Sequence, residues 1–179
     1  MAEPGSPGSV SVEERPPPAA ASPPGGEHLG DAVAEWGLDP DSLHRILAEV
    51  QPPNLTSSAA QLLLAAADTV AQDGSALDLA AEVGMNPRAL SRALLRARLP
   101  PGVRLLLWLR VLVAAKVLDS PGATVAHAAV ASGYSSRAAV ARVIKELTGM
   151  APSALVQRGA FNTALLGFRA ELAAASSRR

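Results

Sequence analysis

At 179 residues the chain is long enough for one domain of moderate size with tails. It has no cysteine, which excludes a disulfide framework and a thiolate metal site. Its three histidines, His28, His44 and His127, show no metal-ligand spacing. The formal net charge of zero hides a division: residues 1–85 carry 13 acidic and 2 basic side chains, and residues 86–179 carry 3 acidic and 14 basic. Such a split is expected where a basic half meets a polyanion and an acidic half solubilises or masks it.

Residues 1–28 are rich in Pro, Gly, Ser, Ala and Glu, with Pro16-Pro17-Pro18 and Pro23-Pro24-Gly25-Gly26. A segment of that composition buries too little apolar surface to offset its chain entropy, so a disordered tail is expected. No basic segment followed by an apolar core is visible at the N-terminus. The most apolar stretch, Val103 to Leu118, is broken by Arg104, Arg110 and Lys116 and falls short of the ~20 residues a bilayer span needs. The expectation is a cytoplasmic protein without a membrane partner.

Residues 29–55 read as a short helical extension. Asp31 to Trp36 suggest a helical turn. Asp39 is a natural N-cap, with Pro40 at the first helical position. Leu43, Ile46, Leu47 and Val50 then share one face, and Pro52-Pro53 ends the helix.

The main domain is read over residues 56–158. Thr56 to Gln72 forms its first helix, with Ser58 and Gln61 at capping-box spacing and Leu62, Leu63, Ala66 and Val70 inward. After the break at Gly74-Ser75, Leu77 to Leu99 reads as a helix-turn-helix. Ser75 and Asp78 have capping-box spacing, Ala80-x-x-x-Gly84 makes the turn, and Asn86-Pro87 opens the second helix. Leu90, Ala93 and Leu94 face inward; Arg88, Ser91, Arg92, Leu95 and Arg96 face outward. Pro100-Pro101-Gly102 stops that unit. Val103 to Leu118 follows as a helix apolar nearly all round, which residues 31–55 and the C-terminal segment are expected to cover in preference to a second chain.

Thr124 to Pro152 is the second helix-turn-helix. Thr124 caps Val125 to Ala131, Gly133 supplies the positive φ of the turn, and Tyr134 packs behind it. Ser135 or Ser136 caps a helix over Arg137 to Thr148. Its stripe is Val140, Val143, Ile144 and Leu147, leaving Arg137, Ala138, Ala141, Arg142 and Lys145 off that stripe. A short helix from Ser153 follows. Residues 159–179 hold a last helix, Phe161 to Ala174, with Leu165, Phe168 and Leu172 inward, and a basic tail from Ser176 to Arg179.

The two units are an internal repeat: Ala80 and Gly84 correspond to Ala129 and Gly133, 49 residues on, with one extra residue after the second glycine. On these residues, and on Tyr134, Arg142, Lys145, Thr148, Gly149, Met150 and Pro152, the chain resembles the AraC/XylS family of bacterial transcription regulators over about Thr56 to Arg158. Arg110 and Ala114 match the linker helix of that family, while Val140 and Ile144 stand where it usually has phenylalanines. The resemblance implies an all-α fold of two homeodomain-like helix-turn-helix subdomains joined by a long linker helix. It also implies a sequence-specific transcription regulator that inserts two recognition helices into successive major grooves.

By position in the matched motifs, Arg88, Ser91 and Arg92 on the first helix are the base-facing candidates, with Arg137, Ala138, Ala141 and Arg142 on the second. Arg96, Arg98, Thr124, Ser135, Ser136 and Lys145 suit phosphate contacts. Arg98, Arg104 and Arg158 stand open between DNA contact and plain solvent exposure. The implied partner is double-stranded DNA, with RNA polymerase or another regulator as a further candidate, for a chain acting as monomer or weak dimer. No cofactor or metal is implied, and no enzyme. The basic half holds only Asp119, Glu146 and Glu171 as acids, and no nucleophile elbow, phosphate-binding glycine loop or His-Glu-x-x-His run occurs. The alternative is a degenerate helix-turn-helix module that binds protein without binding DNA.

Overall fold

In the computed structural model, residues 39–50 and 55–177 are described, and they form nine helices and no strand. The helices are α1 (Pro40–Val50), α2 (Ser57–Ala71), α3 (Ala76–Glu82), α4 (Pro87–Arg96), α5 (Gly102–Leu118), α6 (Val125–Ala131), α7 (Arg137–Thr148), α8 (Pro152–Gln157) and α9 (Ala160–Ser177). The tail expected over residues 1–28, the turn at Asp31 to Trp36 and the stop at Pro52-Pro53 lie outside the described residues.

Helix starts follow short polar side chains. Asp39 accepts the Ser42 N–H at 2.9 Å at the head of α1. Partial burial pushes the Asp39 carboxyl upward, but the hydrogen bonds from Ser42 outweigh it and hold it below its ordinary value. The head of α2 corrects the sequence reading. The cap is Thr56, whose Oγ1 accepts the Ala59 N–H at 3.2 Å, so Ser58 already lies in the first turn and has no capping box with Gln61.

Helix α5 is the axis of the molecule. Its residues Leu105, Trp108, Leu109, Val111, Leu112 and Val113 are all buried. Helices α2, α3 and α4 pack on it from one unit and α6 and α7 from the other, while α1 and α9 cover its remaining surface. The Trp108 and Phe168 rings lie 5.7 Å apart, centre to centre, tilted by 34°. Ion pairs fasten this cover: Arg104 to Glu171 at 2.8 Å, and Lys116 to Glu49 at 2.9 Å. The Lys116 ammonium also stands 3.9 Å from the centre of the Phe161 ring. Asp119, just past α5, caps α9 by accepting the Ala160 N–H at 2.6 Å and the Phe161 N–H at 2.9 Å. Helix α9 continues to Ser177, three residues beyond its expected end, so Ser176 belongs to a helix and not to a tail.

No helix among the described residues is long and apolar enough to cross a membrane.

Candidate nucleic-acid interface

Each helix-turn-helix is fixed locally. At α3, Ser75 Oγ accepts the Leu77 and Asp78 N–H groups, and the Asp78 carboxylate takes the Ser75 N–H at 2.7 Å. That backbone hydrogen bond, joined by the Ser75 hydroxyl, holds the Asp78 carboxyl below its ordinary value. Gly84 then takes φ +64°, and the Met85 N–H closes the turn on the Ala80 carbonyl at 2.7 Å. Asn86 Oδ1 caps α4 through the Ala89 N–H at 2.9 Å, with Pro87 first in the helix.

The second unit repeats this pattern. Gly133 has φ +73°, and the Tyr134 N–H reaches the Ala129 carbonyl at 2.8 Å. Thr124 caps α6 as expected. Its reciprocal partner is His127, whose Nδ1 accepts the Thr124 N–H at 3.2 Å, so this histidine completes a capping box. Of the two candidate serines it is Ser136 that caps α7, accepting the Ala139 N–H at 3.1 Å. Tyr134 is half-buried against the core; burial raises its phenol pKa, with the Arg110 charge opposing and Glu146 assisting.

These constraints fix which way α4 and α7 face. On α4, Leu90, Ala93 and Leu94 are buried, while Arg88, Ser91, Arg92, Leu95 and Arg96 are exposed. On α7, Val140, Val143, Ile144 and Leu147 are buried. Arg137, Ala138, Arg142 and Lys145 are exposed, as is Ser135 before it, and Ala141 is half-buried.

The cations separate into two groups by what they touch. Arg104, Arg110 and Lys116 on α5 form ion pairs, and Arg169 on α9 donates to the Glu49 carbonyl at 2.8 Å. Arg104 therefore leaves the group of open DNA candidates: it is bound to Glu171, and that hydrogen bond raises its pKa. By contrast, the side chains of Arg88, Arg92, Arg96, Arg98, Arg137, Arg142, Lys145 and Arg158 have no hydrogen-bond or ion-pair partner among the described residues. Six of them lie on α4 and α7. Ser91 differs from the sequence reading in one respect. Its hydroxyl proton is already given to the Pro87 carbonyl at 2.9 Å, so toward a ligand it offers lone pairs. No group of His, Asp and Glu able to hold a metal ion occurs among the described residues.

Residues 79–158 match the family model of a helix-turn-helix domain of AraC type. The chain carries an AraC-type helix-turn-helix domain. It is accordingly a DNA-binding transcription regulator, and the matched family is not an enzyme family. No curated protein and no solved structure matches the chain. The match to the AraC-type domain begins inside α3 and ends just past α8. Helices α1, α2 and α9, which cover α5, lie outside it.

Proposed function

We propose that residues 56–158 bind a specific DNA sequence by placing α4 and α7 in successive major grooves. The observation that carries this reading is the division of the cations. Six of the eight guanidinium and ammonium groups without internal partners among the described residues fall on the exposed faces of the two second helices, where a polyanion would find them.

Arg88, Arg92, Arg137 and Arg142 can each bond a guanine edge bidentately, and Ala138 and Ala141 can approach a thymine methyl. Ser91, with its proton committed, would accept from a base amino group. Arg96, Lys145, Ser135, Ser136 and Thr124 would hold phosphates. Helix α5, of 17 residues, is ~25 Å long. With the widths of the flanking units, that length suits reading helices one DNA turn, ~34 Å, apart. One chain holds both helices, so binding at one protein per site is expected.

The test begins with a salt series on random duplex DNA by fluorescence anisotropy. A slope of about −0.9 in log affinity per phosphate neutralised is expected. Selection of a target duplex then permits Arg92→Ala and Arg142→Ala to be measured. Each should weaken specific binding by ~1–3 kcal/mol with thermal stability unchanged. Undiminished specific binding by the double variant would remove these residues from the interface. Flat, weak binding by the wild-type chain at low salt would refute DNA binding altogether.

A further inference from the structure

Of the 16 basic side chains in the sequence, only Lys116 and Lys145 are lysines, and the rest are arginines. The distinction is chemical. A guanidinium keeps its proton and does not take up an acyl group, whereas a lysine amine that sheds its proton does.

The two lysines have opposite surroundings. The Lys116 ammonium pairs with Glu49 at 2.9 Å and stands 3.9 Å from the centre of the Phe161 ring, and its side chain is only 18% exposed. Releasing its proton would forfeit both contacts. Lys145 is exposed in the last turn of α7, and its side chain has no partner among the described residues. Its amine can react without breaking anything inside the protein.

Lys145 also stands where its charge counts. It follows Arg142 by three residues, a neighbour on the outward face of α7. Counted from the caps, the matching position on α4 is Leu95, and the basic residues of α4 are all arginines. Lysine chemistry therefore reaches one of the two helices and spares the other.

We infer that Lys145 is an acylation site, where an activated acyl group (an acyl phosphate or an acyl thioester) weakens the hold of α7 on DNA. This rests on α7 facing DNA. The unprotonated Nζ attacks the carbonyl carbon and forms an amide C–N bond. The bond to the donor's oxygen or sulfur breaks, phosphate or thiolate leaves with the electron pair, and the nitrogen gives one proton to water. The amide carries no charge, so the face neutralises one phosphate fewer. Helix α4 keeps Arg88, Arg92 and Arg96, so binding is weakened and not abolished.

In the experiment the full chain is treated separately with acetyl phosphate and acetyl-coenzyme A, and peptide mass spectrometry follows acetylation of Lys145 and Lys116. Lys145 should be labelled first, the donor that reacts identifying the source, and excess duplex DNA should slow that labelling. The treated protein should bind a selected and an unrelated duplex more weakly by one common factor. Its salt dependence should be less steep by about 0.9, with the thermal unfolding midpoint unchanged. Lys145→Gln should bind as the treated protein does, and Lys145→Arg should keep its affinity through treatment. Labelling of Lys116 as fast as Lys145, or of neither, would overturn the site. Loss of affinity in treated Lys145→Arg, or none in wild type labelled at Lys145, would overturn the switch. A wild-type protein without salt-dependent binding would instead overturn the placement of α7 in DNA, whatever the labelling.

Discussion

Arg110 in the middle of α5 donates to the Asp73 carboxylate at 2.7 Å, and its other terminal nitrogen lies 3.4 Å from the Ser132 carbonyl. Asp73 follows α2 and Ser132 follows α6, so one guanidinium ties the framework of the first unit to the turn of the second. Arg110 is only 12% exposed, whereas Asp73 is 78% exposed, so solvent screening weakens the pair. Asp73 has φ +55°, and Asp73→Asn keeps a residue that tolerates left-handed backbone and removes the charge; it should cost less than ~1 kcal/mol. Arg110→Met removes both contacts and should cost ~1–3 kcal/mol in urea unfolding. Wild-type stability in both variants would show that the tie contributes nothing.

The cap that Asp119 places on α9 should be measurable in the same way. Asp119→Ala leaves the Ala160 and Phe161 N–H groups without their acceptor, and a lost helix cap costs ~1–2 kcal/mol. Because α9 covers α5, hydrogen exchange in α9 should speed up before the helix-turn-helix units loosen. Exchange rising uniformly across the chain would argue against a separate role for this cap.

Gly167 lies where α9 faces the Trp108 ring of the linker helix. A Cβ built there would meet Trp108 Cη2 at 2.8 Å, below any ordinary contact. Trp108 is 1% exposed and packed against Phe168, so its ring has little room to move. Alanine would gain helix propensity of about 1 kcal/mol, but overpacking costs ~1–3 kcal/mol. Gly167→Ala should therefore lower the thermal unfolding midpoint; a rise would mean that Trp108 can shift freely.

The capping box at α3 predicts a pH dependence. Asp78 has a folded-state pKa below the ordinary aspartate value, about 3.9, so its contribution is present above that value and is lost as pH falls through the lowered one. Below about pH 4, Asp78→Asn should thus lose less stability than wild type for the same drop in pH. Parallel unfolding curves for the two proteins across the acid range would contradict this.

What could be read in the sequence, and what could not, divides by range. Ser75–Asp78, Asn86, Thr124 and Ser136 act on backbone within three residues, so spacing alone marks them. The inward faces of α4 and α7 follow from helical period, which is why Arg92 and Arg142 emerge exposed as expected. At the head of α2 three neighbouring hydroxyl residues compete, and the motif pointed to Ser58 while the helix starts after Thr56. Asp119 reaches residues 41 and 42 positions away and Arg104 one 67 away, and no local pattern encodes such pairs. The left-handed backbone of Arg98, at φ +59°, was hidden for another reason: that position usually announces itself as glycine.

The repeat also predicts that the two reading helices differ in what they select. Counted from their caps, Asn86 and Ser136, the outward positions pair as Arg88 with Ala138, Ser91 with the half-buried Ala141, Arg92 with Arg142, Leu95 with Lys145 and Arg96 with Glu146. Among the base-facing candidates, α4 therefore offers Arg88 and Arg92 with Ser91, and α7 offers Arg137 and Arg142 with Ala138 and Ala141. Both halves of the target should depend on guanines, and the half under α7 on thymine methyl groups as well. Replacing single thymines by uracil removes only the methyl, and under α7 should cost up to ~0.8 kcal/mol. Replacing guanine by 7-deazaguanine removes one acceptor and should weaken binding in both halves, an effect that Arg88→Ala abolishes at one position under α4. Equal sensitivity of the two halves to the loss of thymine methyls would show that the residues at these paired positions do not set the choice of base.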